Sequence, residues 1–205
     1  MKATDLSALI ASRLCHDLVS PVGAISNGLE IIADEDDPEI IRQAVDLLNL
    51  SVRQAEYKLT FYRFAFGASA GAGGEIASRD IAAAAAHYLG EEKVVFSWKG
   101  EPVLLSKLRA RMLSNLILFG RDCLPRGGTL EATEEPDALI VTVEGQNCRL
   151  RAEAAQILYG NSGEMPMPHL APVVLLRAFS EEEGVRLTIE EGEGKIVLRL
   201  AAAPA

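Results

Sequence analysis

Cysteine is scarce. Cys15, Cys123 and Cys148 are three in number and widely spaced. No pair has metal-ligand spacing, and an odd set builds no disulfide framework, so a reducing, cytoplasmic compartment is expected. Positive charge is also short: 20 Lys and Arg stand against 29 Asp and Glu, a net charge of −9. A nucleic-acid binder needs a basic face to displace counterions, so that class is disfavoured. An anionic membrane surface is disfavoured on the same ground. No apolar run reaches about 18 residues, which argues against a transmembrane helix. The opening Met1-Lys2-Ala3-Thr4-Asp5 lacks the apolar block of a signal peptide. There is no internal repeat.

What is present begins with aliphatic residues. Apolar types make up 49% of 205 residues, enough for a sizeable core in one large domain or two small ones. Near the N-terminus they fall at Leu6, Leu9, Ile10, Leu14, Leu18, Val22, Ile25, Leu29 and Ile32, in steps of threes and fours. That is helix periodicity and predicts a helix from about Asp5 to Ala33. At about 100° per residue, His16 falls some 200° from Leu14 and faces water. Ser12, Val19, Ser20, Gly23 and Asn27 share its outer face, and most are small. Such a histidine is reachable by something large. Gly23 and Gly28 weaken the helix, and Pro21 is expected to bend it one turn past His16. Asp37 then suits an N-cap and Pro38 a first helical position. A second helix follows to about Phe66, with its stripe at Ile41, Ala44, Val45, Leu48, Val52, Ala55, Leu59, Tyr62 and Phe66. The pair makes an antiparallel hairpin that cannot bury its stripes alone. A homodimer closing a four-helix bundle is the expected solution.

The tract Gly67-Ala68-Ser69-Ala70-Gly71-Ala72-Gly73-Gly74 reads as a flexible boundary between a hairpin domain, 1–67, and a second domain, 75–205. The second domain reads as α+β. Helices are expected at Ser78–Leu89, from Ser106 to about Leu124, at Arg151–Tyr159 and at Ala171–Glu182, with Ser78 and Ser106 as N-caps. Strands are expected at Val94–Trp98, Pro102–Leu105, Thr129–Glu134 and Ala138–Glu144. Val185–Glu190 and Lys195–Leu200 form a hairpin about Gly192-Glu193-Gly194. Ala201–Ala205 reads as a tail.

A neutral imidazole is nucleophilic near pH 7 and can hold a phosphoryl group as an N–P bond. Transfer to and from a carboxylate needs an exposed, rigidly held nucleophile, and the other protein can supply the Mg²⁺ and cations. Asp17 could hydrogen-bond the ring of His16 and fix one tautomer, although adjacent residues do not share a helix face. Arg13, one turn before His16, could neutralise phosphate, meet a partner's carboxylate, or equally form a surface salt bridge. Lys58 and Arg63 are weaker candidates for a local positive field. His87 and His169 read as helix-end and surface histidines, and Cys15 as a packing residue. The Asp34–Asp37 cluster reads as a solvated turn, and no metal site is expected.

The stretch His16-Asp17-Leu18-Val19-Ser20-Pro21 resembles the phosphoacceptor box of sensor histidine kinases. The longer run from His16 to Glu30 is similar to the ChpT-like histidine phosphotransferases, and the likeness continues at Asn115-Leu116 and from Leu124 to Leu130. The resemblance implies a phosphorelay protein. His16 would accept phosphate from the receiver-domain aspartate of a hybrid histidine kinase and pass it to response-regulator receivers. It also implies a second domain laid out like a histidine-kinase ATP-binding domain. The nucleotide boxes depart from that pattern. An Asn-Leu-x-x-Asn-Ala box would place asparagine where Phe119 stands. An Asp-x-Gly-x-Gly box is met by Glu144-Gly145-Gln146-Asn147-Cys148. The phosphate loop is met by Met165-Pro166-Met167-Pro168-His169-Leu170-Ala171-Pro172, whose prolines cannot offer a row of N–H groups. No bound cofactor is therefore expected, with Mg²⁺ arriving on the partner receiver. The alternatives are an ATP-dependent histidine autokinase and a non-catalytic dimeric scaffold or phosphatase for receivers.

Overall fold

The computed structural model describes residues 2–67, 74–91, 93–160 and 165–202. Helix α1 spans Ala3–Asp34 and runs through Pro21 without a break. Proline has no N–H, so the carbonyl of Asp17, four residues earlier, loses its helical donor. Lys58 on the second helix replaces it, its Nζ donating to that oxygen at 3.2 Å. Helix α2 spans Pro38–Phe66 and starts as its sequence dictates: the Asp37 side chain accepts from the Glu39 N–H at 2.8 Å, and Pro38 occupies the first turn. Gly28 is the close approach of the hairpin. A Cβ there would stand 2.8 Å from Leu48 Cγ, so the glycine lets the helices touch.

The second part is an α/β unit. It comprises β1 (Glu75–Ala77), α3 (Ser78–Gly90), β2 (Val94–Lys99), β3 (Leu104–Ser106), α4 (Lys107–Asp122), β4 (Gly128–Glu135), β5 (Ala138–Glu144), α5 (Ala152–Tyr159), a short 3-10 turn (Pro168–Leu170), α6 (Ala171–Glu183), β6 (Val185–Gly192) and β7 (Lys195–Ala202). The main sheet has the order β2-β4-β5-β7-β6. Only β2–β4 is parallel, with Val94 opposite Gly128; the other pairs are antiparallel. β1 and β3 form a small antiparallel ribbon. Helix α4 packs against the sheet, α3 and α6, and is buried nearly all round from Met112 to Gly120.

Several expectations are corrected. Ala77, not Ser78, is the N-cap of α3. Ser78 instead pins the chain before β3, its Oγ accepting from the Val103 N–H at 2.9 Å while its own N–H reaches the Val103 carbonyl at 2.8 Å. Ser106 does cap α4, accepting from the Arg109 N–H at 3.2 Å, but that helix stops at Asp122 rather than Leu124. Ala201 and Ala202 are strand, and 203–205 lie outside the described residues, as do 68–73 of the glycine-rich tract.

The hairpin and the second part share one core. Leu9 of α1 and Phe61, Tyr62 and Ala65 of α2 belong to the same buried cluster as α3, α4 and α6. Asn115 ties the two polar skeletons together: its Nδ2 donates to the carbonyls of Ala65 and Arg111, both at 2.8 Å. Ala65 sits in the last turn of α2, where helix carbonyls lack donors. By length and composition α1 would pass for a membrane span. Its seating argues for a packing helix, since its middle carries an Arg13–Asp17 ion pair held against the second part.

Candidate functional site

His16 stands on the outer face of α1 with 73% of its side chain exposed. Ser12, Val19, Ser20, Gly23 and Asn27 are all exposed on the same face. A Cβ built on Gly23, two turns on, would meet nothing within 4 Å. The ground around the ring is thus flat and open.

The flank of the ring is held. His16 Nδ1 lies 2.8 Å from Asp17 Oδ1, because two short side chains meet at the helix edge despite their diverging directions. The other oxygen of Asp17 accepts from Arg13 Nε at 2.5 Å and from the Tyr62 hydroxyl. Lys58 and Tyr62, one turn apart on α2, therefore grip the backbone and the side chain of Asp17 together. Burial is the largest single influence on the Asp17 carboxyl and pushes it up. The Arg13 charge and the hydrogen bonds from His16, Tyr62 and Arg13 outweigh it, and the group is held below the ordinary carboxylate value. It is an anion at neutral pH and can only accept, so Nδ1 is the ring nitrogen that donates to it, and in a neutral ring that leaves the lone pair on Nε2.

Arg13 was expected on the open face and is instead buried, with 4% of its side chain exposed. Its Nη1 donates to the His169 carbonyl at 2.9 Å and lies 3.8 Å from Asp122 Oδ2. A wheel drawn on the hairpin alone cannot include the 3-10 turn that covers this flank. Burial opposes the Arg13 charge most strongly, but Asp122, Tyr62, Tyr88 and Asp17 keep the guanidinium firmly protonated. Asp122 is 8% exposed; its Oδ1 pairs with Arg121 Nη1 at 2.9 Å, while its Oδ2 has no hydrogen-bond donor among the described residues. Tyr62 packs between Phe66 and Tyr88, tilted to both rings, at 5.3 and 5.7 Å between ring centroids.

Tyr62, Tyr88 and Asp122 are the members of this network that periodicity missed. Tyr62 reads as one more residue of an apolar stripe. Asp122 did carry a signal, since an acid in the last turn of a helix opposes the helix dipole and calls for a cation. Other candidates fall elsewhere. Cys15 is exposed rather than packed. His87 stacks on Tyr57, ring centroids 4.6 Å apart. His169 lends its carbonyl to Arg13, while burial pushes its ring pKa down. Phe119, 1% exposed, fills the position where a kinase-like box would hold asparagine. Beside it lies a crevice of about 230 Å³, open space included, lined by Phe119, Asp122, Cys123, Arg151, His169 and Leu170 among others.

Residues 78–195 match the family model of the histidine phosphotransferase C-terminal domain. The chain is 36% identical to the protein phosphotransferase ChpT of Brucella abortus, over 96% of its own length and 95% of that protein's. The solved structure of a bacterial phosphotransferase superposes with a TM-score of 0.86 at 33% identity, covering 98% of this chain and 97% of that one.

Proposed function

We propose, from the premise that this chain belongs to the ChpT-like histidine phosphotransferases, that His16 shuttles a phosphoryl group between receiver-domain aspartates. One observation carries the reading: an exposed imidazole whose Nδ1 is held by an ionised Asp17 and whose Nε2 faces open ground. Nε2 attacks the phosphorus of the donor's aspartyl phosphate. The N–P bond forms as the P–O bond to the donor carboxylate breaks, and the carboxylate leaves with the electron pair. The ring becomes cationic as it bonds, and Asp17 offsets that charge through the Nδ1–H. The acceptor aspartate reverses each step. Mg²⁺ and the cations that neutralise the phosphoryl oxygens come with the receiver. Ser12, Val19, Ser20, Gly23 and Asn27 form the ground on which it lands. The donor is the receiver of a hybrid histidine kinase and the acceptors are response regulators.

On this reading the second part binds no ATP. Phe119 occupies the asparagine position, and Pro166 and Pro168 offer no N–H where the phosphate loop would stand. The working unit is a homodimer. Val22, Leu29, Val45, Val52 and Leu59 are exposed along the hairpin, and an apolar strip of that length is covered in solution. A second copy completing a four-helix bundle does so with the same residues on both sides.

The test is transfer from a receiver phosphorylated with labelled phosphate. Label reaches the wild type within the assay and never reaches His16→Ala. Self-labelling from ATP alone would instead establish an autokinase, and failure of every receiver to label the wild type would leave a scaffold.

A further inference from the structure

We infer that Tyr62, Arg13 and Asp122 form a positioning clamp through which the second part of the chain sets the orientation and tautomer of His16; the inference rests on the phosphotransfer reading above. The chain of contact is continuous. Asp122, at the end of α4, and the His169 carbonyl, in the turn before α6, both face Arg13 Nη1. Arg13 Nε and the Tyr62 hydroxyl together occupy Asp17 Oδ2. With that oxygen taken from two directions, the carboxylate plane is fixed and only Oδ1 is turned to His16 Nδ1. Asp17 alone could rotate about its side-chain torsions and leave the ring free to adopt either tautomer.

The burial pattern separates a clamp from a surface ion pair. Arg13, Tyr62 and Asp122 are 3%, 3% and 8% exposed, while the ring they serve stands in solvent. A guanidinium is buried at a cost unless its donors are met. Here it bridges the first helix to two elements of the second part, so the phosphoacceptor is built correctly only when the two parts are docked. The groups facing the carboxylate are Arg13 and His16 from α1 and Tyr62 from α2, with Lys58 on the Asp17 backbone carbonyl; those facing Arg13 from the second part are Asp122, Tyr88 and the His169 backbone. None touches the phosphoryl group, so their effect runs through Asp17. This gives the second part a role other than nucleotide binding or receiver docking.

The experiment reads the ring directly and needs no receiver. In protein labelled with ¹⁵N-histidine, His16 is one of three histidines, assigned by loss of its signals in His16→Ala. The wild type shows the Nδ1–H tautomer. Tyr62→Phe and Asp122→Asn each raise the share of the Nε2–H tautomer. Transfer from a phosphorylated receiver then falls by about ten- to a hundredfold, the range seen when outer hydrogen-bond partners of metal-bound imidazoles are changed. Tyr62→Phe keeps the ring packing and so keeps the test decisive if Asp122→Asn unfolds. A wild type in the other tautomer, or folded variants with unchanged ring signals, overturns the clamp even where transfer slows. A tautomer shift in a protein that no receiver can label supports the clamp and refutes the phosphotransfer reading.

Discussion

Gly23 combines two properties at one position. It is a poor helix former, and it leaves open space two turns from His16. Gly23→Ala is expected to raise stability by up to about 1 kcal/mol in urea melts. Gly23→Trp is expected to leave the fold intact, by circular dichroism, yet abolish labelling by a receiver, because the indole stands on the landing ground. Asp17 sets a pH dependence. Its folded pKa lies below the unfolded value of about 3.9, so the unfolded chain binds the proton first as pH falls. The stabilisation is therefore complete above about pH 4 and is lost below it, as pH drops toward the folded value. Urea unfolding followed between pH 5 and pH 3 checks this against Asp17→Asn, which lacks that contribution. Loss of stability on raising the pH through the same window would contradict it.

At the scale of the element, Pro21 and Lys58 belong together. Lys58→Met leaves the Asp17 carbonyl without a donor and is expected to cost about 1–3 kcal/mol. Pro21→Ala restores an N–H at the place where that carbonyl needs one. In the Pro21→Ala background the cost of Lys58→Met shrinks, and a double-mutant cycle in urea reads the difference. The helices themselves were legible in the sequence. Their periodicity is long, and Asp37-Pro38 and Ser106 are local signals that need no tertiary context. β1 was not legible, because three residues beside a glycine-rich tract become a strand only when β3 lies next to them. The exposure of His16 followed from the wheel, since nothing later among the described residues covers that face. Arg13 sits three residues earlier and could not be read the same way. Its flank is closed by His169 and Asp122, more than a hundred residues on, and one helix contains no record of that.

At the scale of the molecule, the proposed homodimer rests on the exposed strip of Val22, Leu29, Val45, Val52 and Leu59. Light scattering at micromolar concentration is expected to give twice the 22.0 kDa chain mass, and Val52→Glu to lower it to the monomer's. A wild-type mass near that of one chain would remove the bundle. Asn115 governs how the two parts cohere. Asn115→Ala frees the Ala65 carbonyl in a buried site and is expected to raise hydrogen exchange in the last turn of α2, while the sheet stays protected.

Asn115 also bears on any attempt to install a nucleotide box. Replacing Phe119 with asparagine would restore the second asparagine of the box, yet its first asparagine already has both amide hydrogens committed to Ala65 and Arg111. Withdrawing it for a nucleotide would uncap α2 and loosen the hairpin that carries His16. Phe119→Asn is therefore expected to gain no ATP affinity in calorimetric titration. A residue of the asparagine box thus serves as support for the hairpin, and freeing it draws on the stability of the whole molecule.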